Sequence, residues 1–290
     1  MSLSQFAPAK VNLYLHVGAL QADGFHPVSS LMAFADVGDR VAVQPSEALD
    51  FEVTGPFATG LAMEPNNLVL RAAWALTELA GRPLPPFRLI LDKQLPIAAG
   101  LGGGSSDAGA TLRLLRQALD LPLQDEALNI VAAELGSDGI ACLWAETVIG
   151  EGRGDKLVVA PRMPVLDAVL VNPRVASPTG AVYRAYDEAG APGNAERPWL
   201  PEAFEDVVEV AAVMATCRND LEAPAVALTP AIGEVLETLR GEPETLLARM
   251  SGSGATCFAL CSGDIEAEGL AERLQSMRPD WWVRRCRLGG

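Results

Sequence analysis

Pro96-Ile97-Ala98-Ala99-Gly100-Leu101-Gly102-Gly103-Gly104-Ser105-Ser106-Asp107-Ala108 is the stretch that decides how this chain is read. Four of the five positions from Gly100 to Gly104 are glycine, so their backbone N–H groups are unshielded by side chains. A helix is expected to begin near Ser105 or Ser106 and to run to about Leu119. The first turn of a helix has N–H groups without intrahelical partners and carries the positive end of the helix dipole. A bare loop leading into it is a receptor for phosphate oxygens. Two familiar glycine patterns do not fit: no Lys follows Gly104 as GxxxxGK[ST] requires, and Ser105 stands where GxGxxG counted from Gly100 needs glycine. A flexible glycine turn is the alternative use of the segment.

Outward from this loop the pattern alternates between strands and helices. Phe87-Arg88-Leu89-Ile90-Leu91 reads as a strand running toward Pro96. Asn67 reads as the N-cap of a helix through Leu79 that stops at Gly81. Residues 10–17 place Val11, Leu13, Leu15 and Val17 on one face and Lys10, Asn12, Tyr14 and His16 on the other, which predicts a half-buried strand with a polar face. Asp23-Gly24 marks a turn, and residues 39–54 hold further strand segments. Helices are expected over 125–135, 203–216, 230–240 and 265–277, and strands over 166–171, 256–260 and 281–287. Residues 188–202 read as a surface loop. Met250-Ser251-Gly252-Ser253-Gly254 is a second glycine loop, with a plain turn between strands as its simplest use. The interleaving predicts an α/β or α+β fold.

The 290 residues are enough for one large or two smaller domains. Lys plus Arg is 22 and Asp plus Glu is 37, so the net charge is 22 − 37 = −15. So acidic a chain is poorly suited to tracking a nucleic-acid backbone, and any phosphate it binds must be met by amides or a few local cations. No apolar run reaches the roughly 18 residues of a membrane span. The start, Met1-Ser2-Leu3-Ser4-Gln5, lacks the basic segment and apolar run of a signal peptide, so a cytoplasmic location is expected. The five cysteines are odd in number and scattered, and with only His16 and His26 available they complete no zinc pattern; reduced core thiols are expected.

Phosphoryl transfer to an alcohol needs a phosphate cradle, a carboxylate to take the hydroxyl proton and a cation near both. The glycine loop, Asp138 in Gly136-Ser137-Asp138-Gly139 and Lys10 could supply them, although each also has an ordinary use as a turn or sheet-edge residue.

Three segments together resemble the motifs of the GHMP kinases, the family of galactokinase, homoserine kinase and mevalonate kinase: Pro8-Ala9-Lys10-Val11-Asn12-Leu13, Pro96 to Ala108, and Met250-Ser251-Gly252-Ser253-Gly254-Ala255. The resemblance implies a two-domain α/β fold with the active site in the cleft between the domains, read here as residues 1–160 and 161–290. Asp23-Gly24-Phe25-His26, Asn67-Leu68 and Asn219-Asp220-Leu221-Glu222 make it similar to the branch that acts on the cytidine diphosphate ester of methylerythritol, in non-mevalonate isoprenoid synthesis.

By that resemblance Lys10 and Asp138 are the catalytic pair, Asp138 taking the hydroxyl proton. Pro96 through Ser106 wrap the ATP phosphates, and Asn67 and Lys93 lie near the nucleoside. Asn12, Phe25, His26 and Tyr183 hold the substrate, with cytosine between aromatic rings and its edge read by His26. Mg2+ is implied as the partner of ATP, without a protein ligand named. No nucleic-acid or membrane partner is expected, and monomer and homodimer are both open. A kinase of the homoserine or mevalonate type, or a non-catalytic nucleotide-binding relative, is the alternative. One departure stands out: the family's Gly-Ala-Asp-Val-Pro is here Gly136-Ser137-Asp138-Gly139-Ile140; the glycine enlarges backbone freedom, so either activity is lowered or other contacts hold the loop.

Overall fold

A computed structural model describes residues 3–59, 61, 66–81, 85–190 and 193–289. Met1 and Ser2, in the stretch scanned for a leader, and Ala191 and Pro192, in the expected surface loop, lie outside the described residues. The chain forms two compact α/β units. The first comprises Met1–Ala9, Gly38–Leu95 and Gly102–Ala145; the second comprises Lys10–Val37, Pro96–Leu101 and Glu146–Gly290. The chain passes from one to the other inside β1 (Leu3–Val17), inside β2 (Val28–Pro45) and on both sides of the segment 96–101.

In the first unit the C-terminal half of β2, β3 (Asp50–Thr54) and the later β4 (Phe87–Asp92) form a sheet. β2 meets β4 antiparallel, with Arg40 opposite Asp92, and β3 runs parallel to β4. Between them α1 (Leu68–Ala80) buries Val69, Ala72, Ala73 and Leu76, a single helical stripe. The expected caps are present: the Asn67 side chain accepts the Val69 N–H, and Gly81 adopts the left-handed conformation. α2 (Gly103–Ala118) starts within the glycines, two residues earlier than predicted, and is followed by α3 (Asp125–Leu135) and the unpredicted short α4 (Gly139–Trp144). Leu89 and Leu91 of the sheet share a core with Leu76, Leu112, Leu115, Leu128 and Leu143 of these helices.

The second unit adds β5 (Val148–Gly152), β6 (Lys156–Val159), β7 (Leu166–Asn172), α5 (Thr179–Glu188), α6 (Val207–Ala215), α7 (Glu222–Leu228), α8 (Pro230–Gly241), β8 (Thr245–Met250), β9 (Cys257–Cys261), α9 (Asp264–Met277) and β10 (Trp282–Leu288). Its sheet runs β2-β10-β7-β9-β8, with β5 and β6 attached to the N-terminal half of β2. The last strand lies in the middle, antiparallel to β7 along its length, and Leu288 pairs with Ala35 of β2. Neither α5 nor α7 was expected. All five cysteines are buried, and among the described residues no helix is long and apolar enough to cross a membrane.

β1 departs from its prediction. Every residue from Ala7 to Val17 is buried, so the polar face is internal rather than solvated, and Lys10, Asn12 and His16 are 7%, 4% and 4% exposed. Buried polar groups must be matched by partners. His16 donates through Nδ1 to the Glu196 carbonyl, while its Nε2 accepts the Arg218 N–H. Burial lowers its pKa, in keeping with a neutral ring.

Candidate active site

In the first unit the start of α2 gathers several of the predicted residues. Its N-cap, Gly102, has no side chain to satisfy the first-turn N–H groups. A Cβ placed on Gly104 would lie 3.1 Å from Leu68 Cδ1, so the cap of α1, with Asn67, adjoins this turn. One placed on Gly136 would lie 3.2 Å from Ser105 Oγ and 3.7 Å from Asp138 Oδ1. The half-buried Asp138, at the N-cap of α4, is therefore a near neighbour of the start of α2. The reason is local: Gly109 of α2 lets the backbones of α2 and α4 touch, a Cβ there falling 2.7 Å from Leu143 Cα. Gly139 lies where other contacts hold the loop, the second of the two outcomes open in the sequence. Its α-carbon sits against the Ala132 carbonyl of α3, where any side chain would collide. The glycine fits α4 tightly onto α3 and so anchors the turn that carries Asp138.

Lys93 is committed to two carboxylates. Its Nζ lies 2.6 Å from both Asp39 Oδ2 and Asp107 Oδ2, and all three side chains are at most 4% exposed. Asp39 Oδ1 also accepts the N–H groups of Gln94 and Leu95. Burial alone would lower the Lys93 pKa, but Asp107 and Asp39 more than offset it and the net direction is up. Burial pushes Asp107 up to about 7 against the pull of Lys93, because one ammonium cannot neutralise two carboxylates in a dry site. Asp107 Oδ1 and the adjacent Ser106 Oγ are buried without a hydrogen-bond partner.

In the second unit the loop 96–101 meets the second glycine loop. Thr256 N–H donates to the Ala99 carbonyl, Ser251 Oγ donates to the Gly100 carbonyl, and Lys10 N–H donates to the Leu101 carbonyl. Gly100 has φ +74°, and a Cβ there would collide with the Ser251 carbonyl and lie 2.9 Å from Gly254 N. The loop 251–254 is thus the wall against which 96–101 is shaped, more than a simple turn. Lys10 Nζ donates to Asn12 Oδ1 at 2.8 Å.

His26 and Tyr183 come together in the same unit, and Phe25 precedes His26 in the chain. The imidazole of His26 lies 5.0 Å, centre to centre, from the Tyr183 ring on α5. His26 donates through Nδ1 to the Gly18 carbonyl at 2.9 Å, and its Nε2 is 3.4 Å from Asp187 Oδ1, so both ring nitrogens face groups of the chain. Phe25 is half exposed and carries the Arg153 guanidinium 4.1 Å from its ring centre, with Arg153 also paired to Asp23.

Residues 67–146 match the GHMP kinases N terminal domain, and residues 201–280 match the GHMP kinases C terminal family. The 4-diphosphocytidyl-2-C-methyl-D-erythritol kinase of Caulobacter sp. strain K31 is 64% identical over 100% of this chain and 99% of its own length. The chain belongs to the GHMP kinase family. A relative of the same name from Rhizorhabdus wittichii is 45% identical over 99% of this chain and 95% of its own. The crystal structure of a 4-(cytidine 5'-diphospho)-2C-methyl-D-erythritol kinase superposes on this GHMP kinase with a TM-score of 0.76 at 32% identity, covering 99% of this chain and all of that one. Homoserine kinase from Cytophaga hutchinsonii shares the fold at a TM-score of 0.67 and 17% identity, covering 98% of this chain and 94% of that one.

Reading the sequence of this GHMP kinase overlooked Asp39, Asp107, Arg153, Asp187 and Ser251 as partners of the site. Asp107 stands inside the glycine motif and Ser251 inside the second loop, so position alone could have flagged them. Asp39, Arg153 and Asp187 carry no local signal; only the fold brings them to Lys93, Phe25 and His26.

Proposed function

We propose that this GHMP kinase transfers the γ-phosphoryl group of ATP to the 2-hydroxyl of 4-diphosphocytidyl-2-C-methyl-D-erythritol, in cytoplasmic non-mevalonate isoprenoid synthesis. The observation that carries the reading is the 64% identity, over essentially the whole of both chains, to relatives bearing that enzyme's name. The Phe25-His26 pair, with Tyr183 against His26, favours this substrate over homoserine or mevalonate, which have no base to enclose.

In the proposed reaction Asp138 accepts the hydroxyl proton as the oxygen bonds to the γ-phosphorus. The bond from that phosphorus to the β–γ bridging oxygen breaks, and ADP leaves. Lys10 steadies the charge growing on the nucleophile. Pro96 through Ser106 receive the phosphates, and Asn67 and Lys93 lie on the nucleoside side. Phe25 and Tyr183 flank the cytosine, with His26 at its edge and Asn12 beside the reacting group.

The uncapped first turn of α2 fits an anion, since its N–H groups need an acceptor. Among the described residues no group of three His, Cys, Asp or Glu side chains could cage a metal. Mg2+ would therefore enter with the ATP phosphates, whose charge it neutralises, and the unpartnered hydroxyl of Ser106 would hold it at that turn.

An ADP-release assay with the cytidine compound, mevalonate and homoserine tests the reading: only the first is expected to be consumed, and equal use of mevalonate would overturn the substrate. Asp138→Asn is expected to keep ATP binding and lower turnover by roughly 10²–10⁴-fold, the usual size of a lost general base. Near-normal turnover would remove Asp138 from that role. Phe25→Ala is expected to raise KM for the cytidine compound roughly 5- to 100-fold, the equivalent of one stacked base, while KM for ATP holds.

A further inference from the structure

Four buried polar groups line up across β1 and β2 in the second unit. Lys10 Nζ donates to Asn12 Oδ1 at 2.8 Å, Asn12 Nδ2 donates to Ser30 Oγ at 2.7 Å, and Ser30 Oγ donates to the Tyr14 carbonyl at 2.6 Å. We infer that Ser30 is a positioning residue for Lys10 and acts through Asn12; this rests on the reading of Lys10 as catalytic.

The argument is one of donors and acceptors. The two ends of a primary amide have almost the same shape, so its neighbours decide which end points where. Ser30 has one proton, and that proton goes to the Tyr14 carbonyl, which can only accept. Toward Asn12 the hydroxyl oxygen can then only accept, so the amide NH2 must face Ser30 and the amide oxygen must face the Lys10 ammonium. Turned by half a rotation, the amide would set donors against the three donors of the ammonium and leave Ser30 Oγ facing an acceptor. Two buried bonds would be lost, and no water-exposed route relieves them, because Asn12 and Ser30 are 4% and 3% exposed. The Asn12 backbone is held as well, its N–H donating to Ser251 Oγ at 3.1 Å. With the amide pinned at both ends, its oxygen sets where Nζ rests. Removing the Ser30 hydroxyl leaves the amide held only by the ammonium it should locate, and the lysine loses a fixed reference point.

The test is a kinetic cycle on the full chain: wild type, Ser30→Ala, Asn12→Ala, the double variant and Lys10→Ala, each with its melting temperature. Ser30→Ala is expected to lower kcat roughly ten- to a hundredfold, the equivalent of one hydrogen bond to a charged group, with KM for ATP unchanged. In the Asn12→Ala background the same change is expected to add almost nothing, since Ser30 then has no amide to orient. Ser30→Cys, close in size but a weak donor, is expected to repeat the kcat loss should the alanine variant melt early. Wild-type kcat in Ser30→Ala and Ser30→Cys, or an undiminished loss in the Asn12→Ala background, would overturn the inference. Normal turnover in Lys10→Ala would instead overturn the catalytic reading on which it rests.

Discussion

Two glycine- and serine-rich segments, the start of α2 and the loop after β8, look alike in sequence and are fastened by different physics. Beneath residues 102–107 lies a charged cluster, Lys93 between Asp39 and Asp107, with two buried oxygen atoms left without partners. Residues 251–256 are fastened mainly by neutral groups: Ser251 to the Gly100 carbonyl, Ser177 Oγ to the Ser253 carbonyl, Thr179 to Ser253, and Asn219 Nδ2 to the carbonyls of Met250 and Gly252, while the Glu222 carboxylate takes the Met250 N–H just before them. Among the described residues the second loop leaves no buried side-chain polar atom unmatched. The start of α2 leaves two such atoms unpaired, which is costly unless another group meets them. Composition alone does not separate the two cases.

The sharpest way to separate them is to add side chains. Gly100→Val puts a branched Cβ into the Ser251 carbonyl at a φ of +74°, so strain and overpacking act together. A loss of about 2–5 kcal/mol in urea unfolding is expected. A wild-type midpoint would mean that 96–101 is not shaped by the second loop.

Gly103→Val is expected to act more on function than on folding. Its Cβ would lie 3.1 Å from Lys93 Nζ and 3.7 Å from Leu95 Cδ1, a crowding that the pinned lysine relieves only by shifting. KM for ATP should rise at least tenfold while binding of the cytidine compound changes little, read by titrating each ligand separately. Equal losses for both would make the first turn of α2 as purely structural as the second loop.

The smallest effect is a pH slope. Asp107 has a native pKa of about 7 against an unfolded value near 3.8, so between roughly pH 4 and 7 the native state holds a proton that the unfolded chain has released. Its contribution to stability is therefore largest at the acid end of this window and falls as pH rises through it. Asp107→Asn keeps an acceptor for Lys93 and removes the charge, so its stability relative to wild type should grow from pH 4 to pH 7. Parallel urea midpoints across that range would show that the cluster does not titrate.

Elements with strong local chemistry were legible in advance. The Asn67 cap and the left-handed Gly81 bracket α1, and the predicted span of α3, 125–135, matches the structure. The polar face of β1 was misjudged because alternation reports that two faces differ, not that one meets water; here both are covered, and its polar side chains serve one another. Short α4 and α7 were missed because about two turns or fewer give too little periodicity to detect. Which contact holds Gly139 was illegible for a related reason. A glycine's sequence neighbours do not reveal that a carbonyl seven residues earlier in the chain will press against its α-carbon.

What the sequence determined by itself was the chemistry on offer: a glycine loop opening a helix, a lone lysine and asparagine on one strand, an aspartate in a turn, and the order of strands and helices that holds them. These are local properties, carried by spacing and side-chain type. Tertiary structure alone decided which of those groups answer to which partners. It drew Lys93 between two carboxylates 54 and 14 residues away along the chain and brought Tyr183 to His26. It also set Ser251, 239 residues from Asn12, under the backbone of β1. Such pairings arise when sheets and helices close over a shared core and the polar groups trapped there must find one another, a requirement that no local pattern encodes.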